Sequence, residues 1–284
     1  MLKLFDSHAH LIADDAGRYP PAPVGATLKP GDLDDPMTAE RLIAEMDKSG
    51  VERAVVVQRA SIYGYDNSYI CDSATKYPNR LAAVCAIDAN APEGPDRVRY
   101  WMEERGATGI RVMELVKGSD LSWLLSPLTL NVWRMANRLK IPFCVHFFPW
   151  NRNAGLAALK RILDELPDTR LVVDHFSNMD TKQGPPDYGL DASFSELARF
   201  PNVHTKFTTV PLGRLHADGI DAAPIVARVV QAFGAKRVMW GSDITQSQGS
   251  YGFMTQLGHR ATALLTESER EQVLCGATAA VYAR

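Results

Sequence analysis

Phe5-Asp6-Ser7-His8-Ala9-His10 closes a short apolar run, Leu2-Leu4-Phe5, and sets two histidines at spacing i, i+2. On a β-strand that spacing puts both imidazoles on one face, because side chains alternate with period two. Two neutral imidazoles at a strand end can share a divalent cation. An isolated H-x-H reads equally well as a polar strand end with two surface histidines. Its weight comes from three later strand-like runs, which also end in a candidate ligand.

Those runs recur along the whole chain. Strand patterns at 53–58, 81–88, 109–113, 142–146, 171–175, 203–207 and 237–243 follow the first one. Helical patterns alternate with them at 39–49, 67–76, 95–105, 128–139, 154–165, 193–199 and 222–233, with two more at 252–265 and 267–282. Thr38 is the N-cap candidate of the first helix and Gly50 its stop. Near-continuous apolar strands separated by helices predict a parallel sheet covered on its outer face. Eight such units in 284 residues predict a (β/α)8 TIM barrel as one domain over residues 1–284. The barrel is expected to be distorted, with a long Pro-, Gly- and Asp-rich first βα loop (12–37) and an extra C-terminal helix. An open doubly wound sheet would want a Gly-rich phosphate loop after its first strand, where this chain has Asp6-Ser7-His8.

A net charge of −2 gives no electrostatic case for nucleic acid or an anionic membrane as partner. No apolar run approaches the roughly 20 residues of a membrane span, and no secretory signal pattern opens the chain, so a cytoplasmic location is expected. Cys71, Cys85, Cys144 and Cys275 are widely spaced in mostly apolar surroundings and read as buried free thiols. A homo-oligomer is left open.

In a barrel of this kind the active site lies at the C-terminal ends of the strands. His8 and His10 close strand one, His146 strand five, His175 strand six and Asp243 strand eight. Strands one and eight are neighbours, which brings Asp243 to the first two histidines. Any one of these residues could merely cap a loop or pair with a surface charge. All five at the correct strand ends point to a catalytic metal site with an open water position.

With these motifs in place the chain resembles the amidohydrolase superfamily, in its amidohydrolase-2 branch. The resemblance rests on the opening D-S-H-A-H, the V-H-F around His146, the V-D-H-F around His175 and the closing W-G-S-D. It implies that His8, His10, His146 and Asp243 bind one divalent metal ion, zinc in first place and manganese in second. It further implies that His175 is catalytic and that Asp243 doubles as the base. Binuclear members carry a bridging lysine on strand four or five; no lysine stands at either strand end here, and Glu114 is the one carboxylate that could replace it.

Details are similar to the lactonases grouped with 2-pyrone-4,6-dicarboxylate lactonase and the sugar lactonases. They are Arg18-Tyr19-Pro20, Val55-Val-Val-Gln58, Gly64-Tyr-Asp66-Asn67, Gly109-Ile-Arg111 and Lys206. Two features depart from that group: Ile244-Thr245-Gln246 stands where Trp-Pro-His is usual, and His146 is absent from its metal-free members. The resemblance implies a hydrolase that opens a cyclic ester of a carbohydrate-derived or aromatic-degradation acid. The competing readings are a non-oxidative decarboxylase on the same ligands, a metal-free lactone hydrolase or isomerase, and a barrel that only binds a small acid. A complete ligand set argues against the last.

Arg111 sits in an otherwise apolar strand, where an unpaired guanidinium is costly. Pointing into the barrel mouth it would bind a substrate carboxylate; pointing outward it would pair with a helix acid. Lys206, Gln58 and Tyr65 are further substrate-binding candidates. His204 is read as structural, His216 and His259 are given no role, and the tryptophans are read as packing.

Overall fold

A computed structural model of the chain describes residues 3–25, 27–114, 116–118 and 120–283; Leu2 of the opening apolar run lies outside them. The strands are β1 (Leu4–Ala9), β2 (Val51–Val57), β3 (Leu81–Ala86), β4 (Gly109–Met113), β5 (Phe143–His146), β6 (Leu171–Val173), β7 (Val203–Thr208) and β8 (Val238–Gly241). They form one sheet in sequential order, every adjacent pair parallel. The sheet closes where the Asp243 N–H donates to the His8 carbonyl (2.7 Å) and the Ser242 N–H to Asp6 Oδ1 (2.8 Å). The molecule is a (β/α)8 barrel.

The strands are apolar on both faces because both are covered. Val55, Val57, Val84, Cys144, Val172 and Met239 fill the barrel interior. Ala54, Val56, Ala83, Val112, Phe143, Val145 and Trp240 face the helices. Trp133 stacks on Phe143 with ring centroids 3.6 Å apart, and Trp240 lies where a Cβ on Gly258 would come within 2.4 Å of its Nε1. Only glycine permits that contact.

The covering helices are α1 (Ala39–Ser49), α2 (Ala60–Tyr63), α3 (Ser68–Lys76), α4 (Gly94–Arg99), α5 (Pro127–Leu139), α6 (Arg152–Glu165), α7 (Ala192–Ser195), α8 (Thr209–Ala217), α9 (Ala223–Phe233), α10 (Tyr251–Ala261), α11 (Glu267–Glu271) and α12 (Ala277–Tyr282). Thr38 caps α1 through the Arg41 N–H, and Gly50 ends it in the left-handed conformation, as the sequence predicts. Helix α8 had no counterpart in the sequence reading, since Pro211 and Gly213 mask its pattern. Pro211 is tolerated because it falls in the first turn, where its missing N–H leaves no intrahelical bond unmade. The last predicted helix is broken into α11 and α12 by a π-helical turn at Gln272–Gly276. The long first loop is irregular yet anchored, with the Ile12 N–H on the Met37 carbonyl (2.9 Å) and the Tyr19 hydroxyl on Asp72 (2.8 Å). Among the described residues no helix is long and apolar enough to cross a membrane.

Candidate active site

Strict alternation along β1 would not place both Phe5 and His8 inside the barrel, yet both point there. The ladder to β2 slips by one residue between Asp6 and Ala9, which pair with Ala54 and Val56. This extra residue is a β-bulge, a feature common beside active sites. It lets Phe5 pack in the interior core while His8 and His10, one turn of pleat later, also face inward. Asp6 holds the bulge in place. Its Oδ1 accepts from the His8 and Ser242 N–H groups (2.9 and 2.8 Å) and its Oδ2 from the Tyr251 hydroxyl of α10 (2.9 Å). Burial pushes the Asp6 carboxyl up, against these hydrogen bonds. A Cβ on Gly241 would stand 2.7 Å from His8 Cβ, so β8 can approach the bulge only through glycine.

Three ligand atoms converge above the bulge. Asp243 Oδ1 lies 3.6 Å from His8 Nε2 and 3.4 Å from His10 Nε2, and all three residues are buried. His10 Nδ1 is 2.7 Å from the Val57 carbonyl. A carbonyl only accepts, so Nδ1 carries the proton and Nε2 presents a lone pair. His8 Nε2 is buried with no hydrogen-bond partner, and burial keeps this imidazole neutral by lowering its pKa well below the usual value. An unpartnered ring nitrogen, an imidazole lone pair and a carboxylate lie within 4.8 Å of one another with no positive group between them. The donor set therefore fits a divalent cation with an open coordination position. Asp243 itself is held below the ordinary carboxylate range; burial opposes this, and its neighbours His10 and His175 with the Ser247 hydroxyl (2.9 Å) outweigh it.

His175 reaches the site by an unusual backbone. Strand β6 ends at Val173, two residues earlier than the sequence pattern suggests, and His175, Phe176, Ser177 and Asn178 all take positive φ (53°, 49°, 53° and 57°). Such a run of left-handed non-glycine residues is strained, and strain of this kind concentrates at functional sites. Its Nδ1 is hydrogen-bonded to Thr208 Oγ1 (2.6 Å), and its ring lies 4.7 Å from that of His8 and 5.0 Å from that of His146. Burial lowers the pKa of His175 well below its usual value and that of His146 to about 3. His146 does not belong to the tight three-ligand group, but its Nδ1 is buried without a partner and its side chain lines the same cavity.

The other flank of His8 is charged. Asp174 accepts from Arg111 Nε (2.8 Å), lies 3.3 Å from Lys206 Nζ and 3.5 Å from His8 Nδ1. Burial would raise the Asp174 carboxyl, but Lys206 and then Arg111 hold it well below its ordinary range. His8, Asp174 and His175 also bring ligand atoms within 4.8 Å of one another. Two cations already serve that carboxylate, which makes it a poor metal site. Arg111 points inward and lines the cavity, though its Nε is committed to Asp174 rather than left for substrate. Lys206 is fully buried over the Tyr282 ring (5.2 Å) and does not line the cavity.

The barrel mouth opens into a cavity of about 840 Å³ lined by His10, Gln58, Arg111, His146, His175 and Asp243, together with loop residues. Gln58 turns its amide onto the Asp66 carbonyl (2.5 Å), bracing the loop after β2. Tyr65 lines a neighbouring cavity with Asp88 and Trp101 instead, and burial pushes its hydroxyl up to about 12. Glu114 is engaged by the Val116 N–H and by Trp123 Nε1 (2.8 and 3.0 Å), so it does not act as a bridging ligand. The cavity also contains Arg59, Phe148, Asn178, Arg214 and His216, none of which the sequence reading had assigned to the site. Arg214 and His216 come from α8, whose pattern Pro211 and Gly213 mask, and Phe148 and Asn178 from loops of no regular pattern. Arg59 alone carried a legible signal, a cation one residue beyond Gln58 at a strand end.

The amidohydrolase family model (Amidohydro_2) matches residues 5–284. The chain is 29% identical over 252 residues to an L-fucono-1,5-lactonase of Burkholderia ambifaria, covering 87% of this chain and 82% of that one. Among solved structures it is similar to an amidohydrolase from Burkholderia multivorans with bound zinc, at TM-score 0.74, 21% identity and 98% of both chains. It is also similar to a probable 2-pyrone-4,6-dicarboxylic acid hydrolase from Acinetobacter baumannii with citric acid bound, at TM-score 0.73, 18% identity and 99% of both chains.

Proposed function

From a chain that belongs to the amidohydrolase family, we propose a lactonase that opens a cyclic ester of a carbohydrate-derived or related acid with one divalent cation, zinc before manganese. The observation that carries this reading is the convergence of His8 Nε2, His10 Nε2 and Asp243 Oδ1, with His8 Nε2 unpartnered and the His10 proton turned away onto the Val57 carbonyl. The likeness to a named lactonase supports the reaction class, and a zinc-bound structural relative supports the choice of metal.

His8, His10 and Asp243 would hold the cation, with His146 as the fourth donor through its unpartnered ring. When bound, the cation supplies Lewis-acid polarisation of the ester carbonyl and lowers the pKa of water. Asp243, ionised in its buried setting, takes the proton of the attacking water. The ring C–O bond then breaks, and that proton passes to the departing alkoxide. Thr208 Oγ1 accepts the Val210 N–H (3.3 Å), so its own proton is free for His175 Nδ1. That assignment leaves the neutral His175 ring with an N–H at Nε2 to donate to the developing oxyanion, a contribution often worth about 3 kcal/mol. Arg111 and Asp174 would brace this wall of the site.

A pH-stat assay over sugar lactones and pyrone acids, paired with metal analysis of the purified protein, tests the reading. Acid release with about one equivalent of zinc or manganese per chain is the expected result. No turnover of any lactone, alongside carbon dioxide release from hydroxybenzoates, would overturn it in favour of decarboxylation. Full activity after exhaustive chelation would remove the metal and leave Asp243 as the base.

A further inference from the structure

Arg59 stands directly after β2 and Gln58, on the wall of the central cavity that also carries His10 and Asp243. Its side chain is half-buried, and its Nε is buried without a partner. The other guanidinium groups of this cavity are satisfied: Arg111 by Asp174 (2.8 Å) and Arg214 by Asn178 (3.0 Å). Among the described residues, that of Arg59 makes neither a hydrogen bond nor an ion pair. Asp32 and Asp243 lie close enough to be felt electrostatically, yet neither reaches contact distance, and burial lowers the Arg59 pKa despite them.

A guanidinium partly removed from water without an anion is costly, and its buried Nε–H donor finds no acceptor among its neighbours. The arrangement makes sense when a ligand completes it. A carboxylate matches the planar fork of one arginine bidentately. Charge on the surrounding walls points the same way. Asp174 is outnumbered by Arg111 and Lys206, so only Asp243 and the rim acid Asp32 oppose Arg59, Arg214 and the rim Lys29.

We infer that Arg59 is a specificity-determining residue that binds a carboxylate carried by the substrate, so that the preferred lactones are anionic rather than neutral. This rests on the lactonase reading and narrows it. The cyclic ester would lie at Asp243 and His175, with its acid substituent turned toward the β2 side of the mouth.

Galactaro-γ-lactone and galactono-γ-lactone form a matched pair, one bearing a carboxylate where the other bears a hydroxymethyl group. The wild-type enzyme should favour the acid in kcat/KM. Arg59→Gln should reduce that preference about 10- to 100-fold, the worth of one or two charge-assisted hydrogen bonds, mainly through KM. Arg59→Lys should restore part of it. Arg59→Gln should also melt no lower than wild type, because it removes a half-buried charge that has no partner among the described residues. Equal turnover of both lactones by the wild type, or an equal loss on both in Arg59→Gln, would overturn the inference. Calorimetry with the ring-opened galactarate and galactonate separates the two levels. Galactarate binding that is lost in Arg59→Gln, in an enzyme that opens no lactone, would keep the anion site and discard the lactonase reading. Failure of galactarate to bind the wild type, with lactone turnover intact, would do the reverse.

Discussion

His8 presents its two ring nitrogens to two different settings. On the Nε2 side stand His10 and Asp243, three ligand atoms gathered with no cationic side chain among them. On the Nδ1 side stands Asp174, already paired with Arg111 and Lys206. Both groups are buried and each offers three ligand atoms, so residue type and proximity do not tell them apart. Charge balance does. The first group is short of positive charge and the second is oversupplied with it, so a cation belongs with the first while the second holds the ring in place. His8 Nδ1 lies 3.5 Å from both Asp174 Oδ1 and Lys206 Nζ, so this charged group fixes the ring and leaves Nε2 turned toward the site.

The sharpest way to break this comparison is to neutralise one carboxylate on each side. Asp243→Asn keeps the Ser247 contact and should leave the chelated protein within about 1 kcal/mol of wild-type stability. Turnover should fall about a hundredfold to ten-thousandfold with the loss of its base, and bound metal should fall with it. Asp174→Asn should do the opposite, leaving Arg111 and Lys206 buried with no counter-charge. That should cost about 3–5 kcal/mol of stability by denaturant titration. Lys206→Met, which leaves one Arg111–Asp174 pair intact, should cost clearly less than Asp174→Asn. Equal destabilisation by the two carboxylate variants would erase the distinction between the two sides of His8.

How much of this was legible in the sequence follows from what is local and what is not. The eight strands and their ligand-bearing ends could be read because a parallel strand is an apolar run whose end is marked by a polar residue. The bulge could not be read, since the slip between Asp6 and Ala9 is set by the approach of β8 at Gly241 and by Tyr251, both more than 230 residues away. The sequence pattern extends the sixth strand to His175, the first residue of the left-handed turn, because no glycine announces that turn. The sequence offers Arg111 a substrate carboxylate if it points inward or a helix acid if outward; it points inward, and its partner is Asp174 inside the barrel, adjacent in sequence to His175. Lys206 was read as a substrate contact because its strand position is right; its depth, one layer below the cavity, has no sequence signature. Tyr65 and Arg59 show the same limit in loops, where the polypeptide turns one away from the mouth and the other into it.

Acid should weaken the protein through the same histidines. Burial holds His8, His146 and His175 neutral, with His146 down to about 3. In the unfolded chain they titrate near 6.5. Between these values the unfolded state binds protons that the folded state does not, so stability falls as pH falls. The stabilisation is complete above about pH 6.5 and is lost on the way down toward 3, with Asp174 adding a further loss below its unfolded value near 3.8. Each histidine contributes a slope of about 1.4 kcal/mol per pH unit. Unfolding titrations of the chelated protein from pH 7.5 to 5 should show such a slope, and His146→Leu should lower it by about one proton. A profile that is flat over this range would mean that these rings are more hydrated than the barrel interior allows.

The smallest expected effect concerns the backbone that hangs each group beside His8. Asp243 and His175 are both left-handed, with φ of 58° and 53°, and each has strained neighbours: Thr245 at 74° and Ser177 at 53°. The two neighbours differ in what their side chains do. Ser177 Oγ accepts from Arg152 Nε (2.9 Å) in a buried contact, whereas Thr245 Oγ1 is buried with no partner. A β-branched residue at positive φ carries about 1–2 kcal/mol of strain, and glycine removes that strain at an entropic cost of about 0.5–1 kcal/mol. Thr245→Gly also removes an unsatisfied hydroxyl, so the balance should favour the variant by about 1 kcal/mol, or about 2–4 °C in Tm for a chain of this size. Ser177→Gly relieves similar strain but strips a buried arginine of its acceptor, and should show no gain. Turnover should respond in the reverse order of stability, because a looser Thr245 position frees the turn that aims Asp243. If Thr245→Gly melts lower than wild type, the strain beside Asp243 is compensated by contacts of the Thr245 side chain, and the two left-handed turns are held by different means.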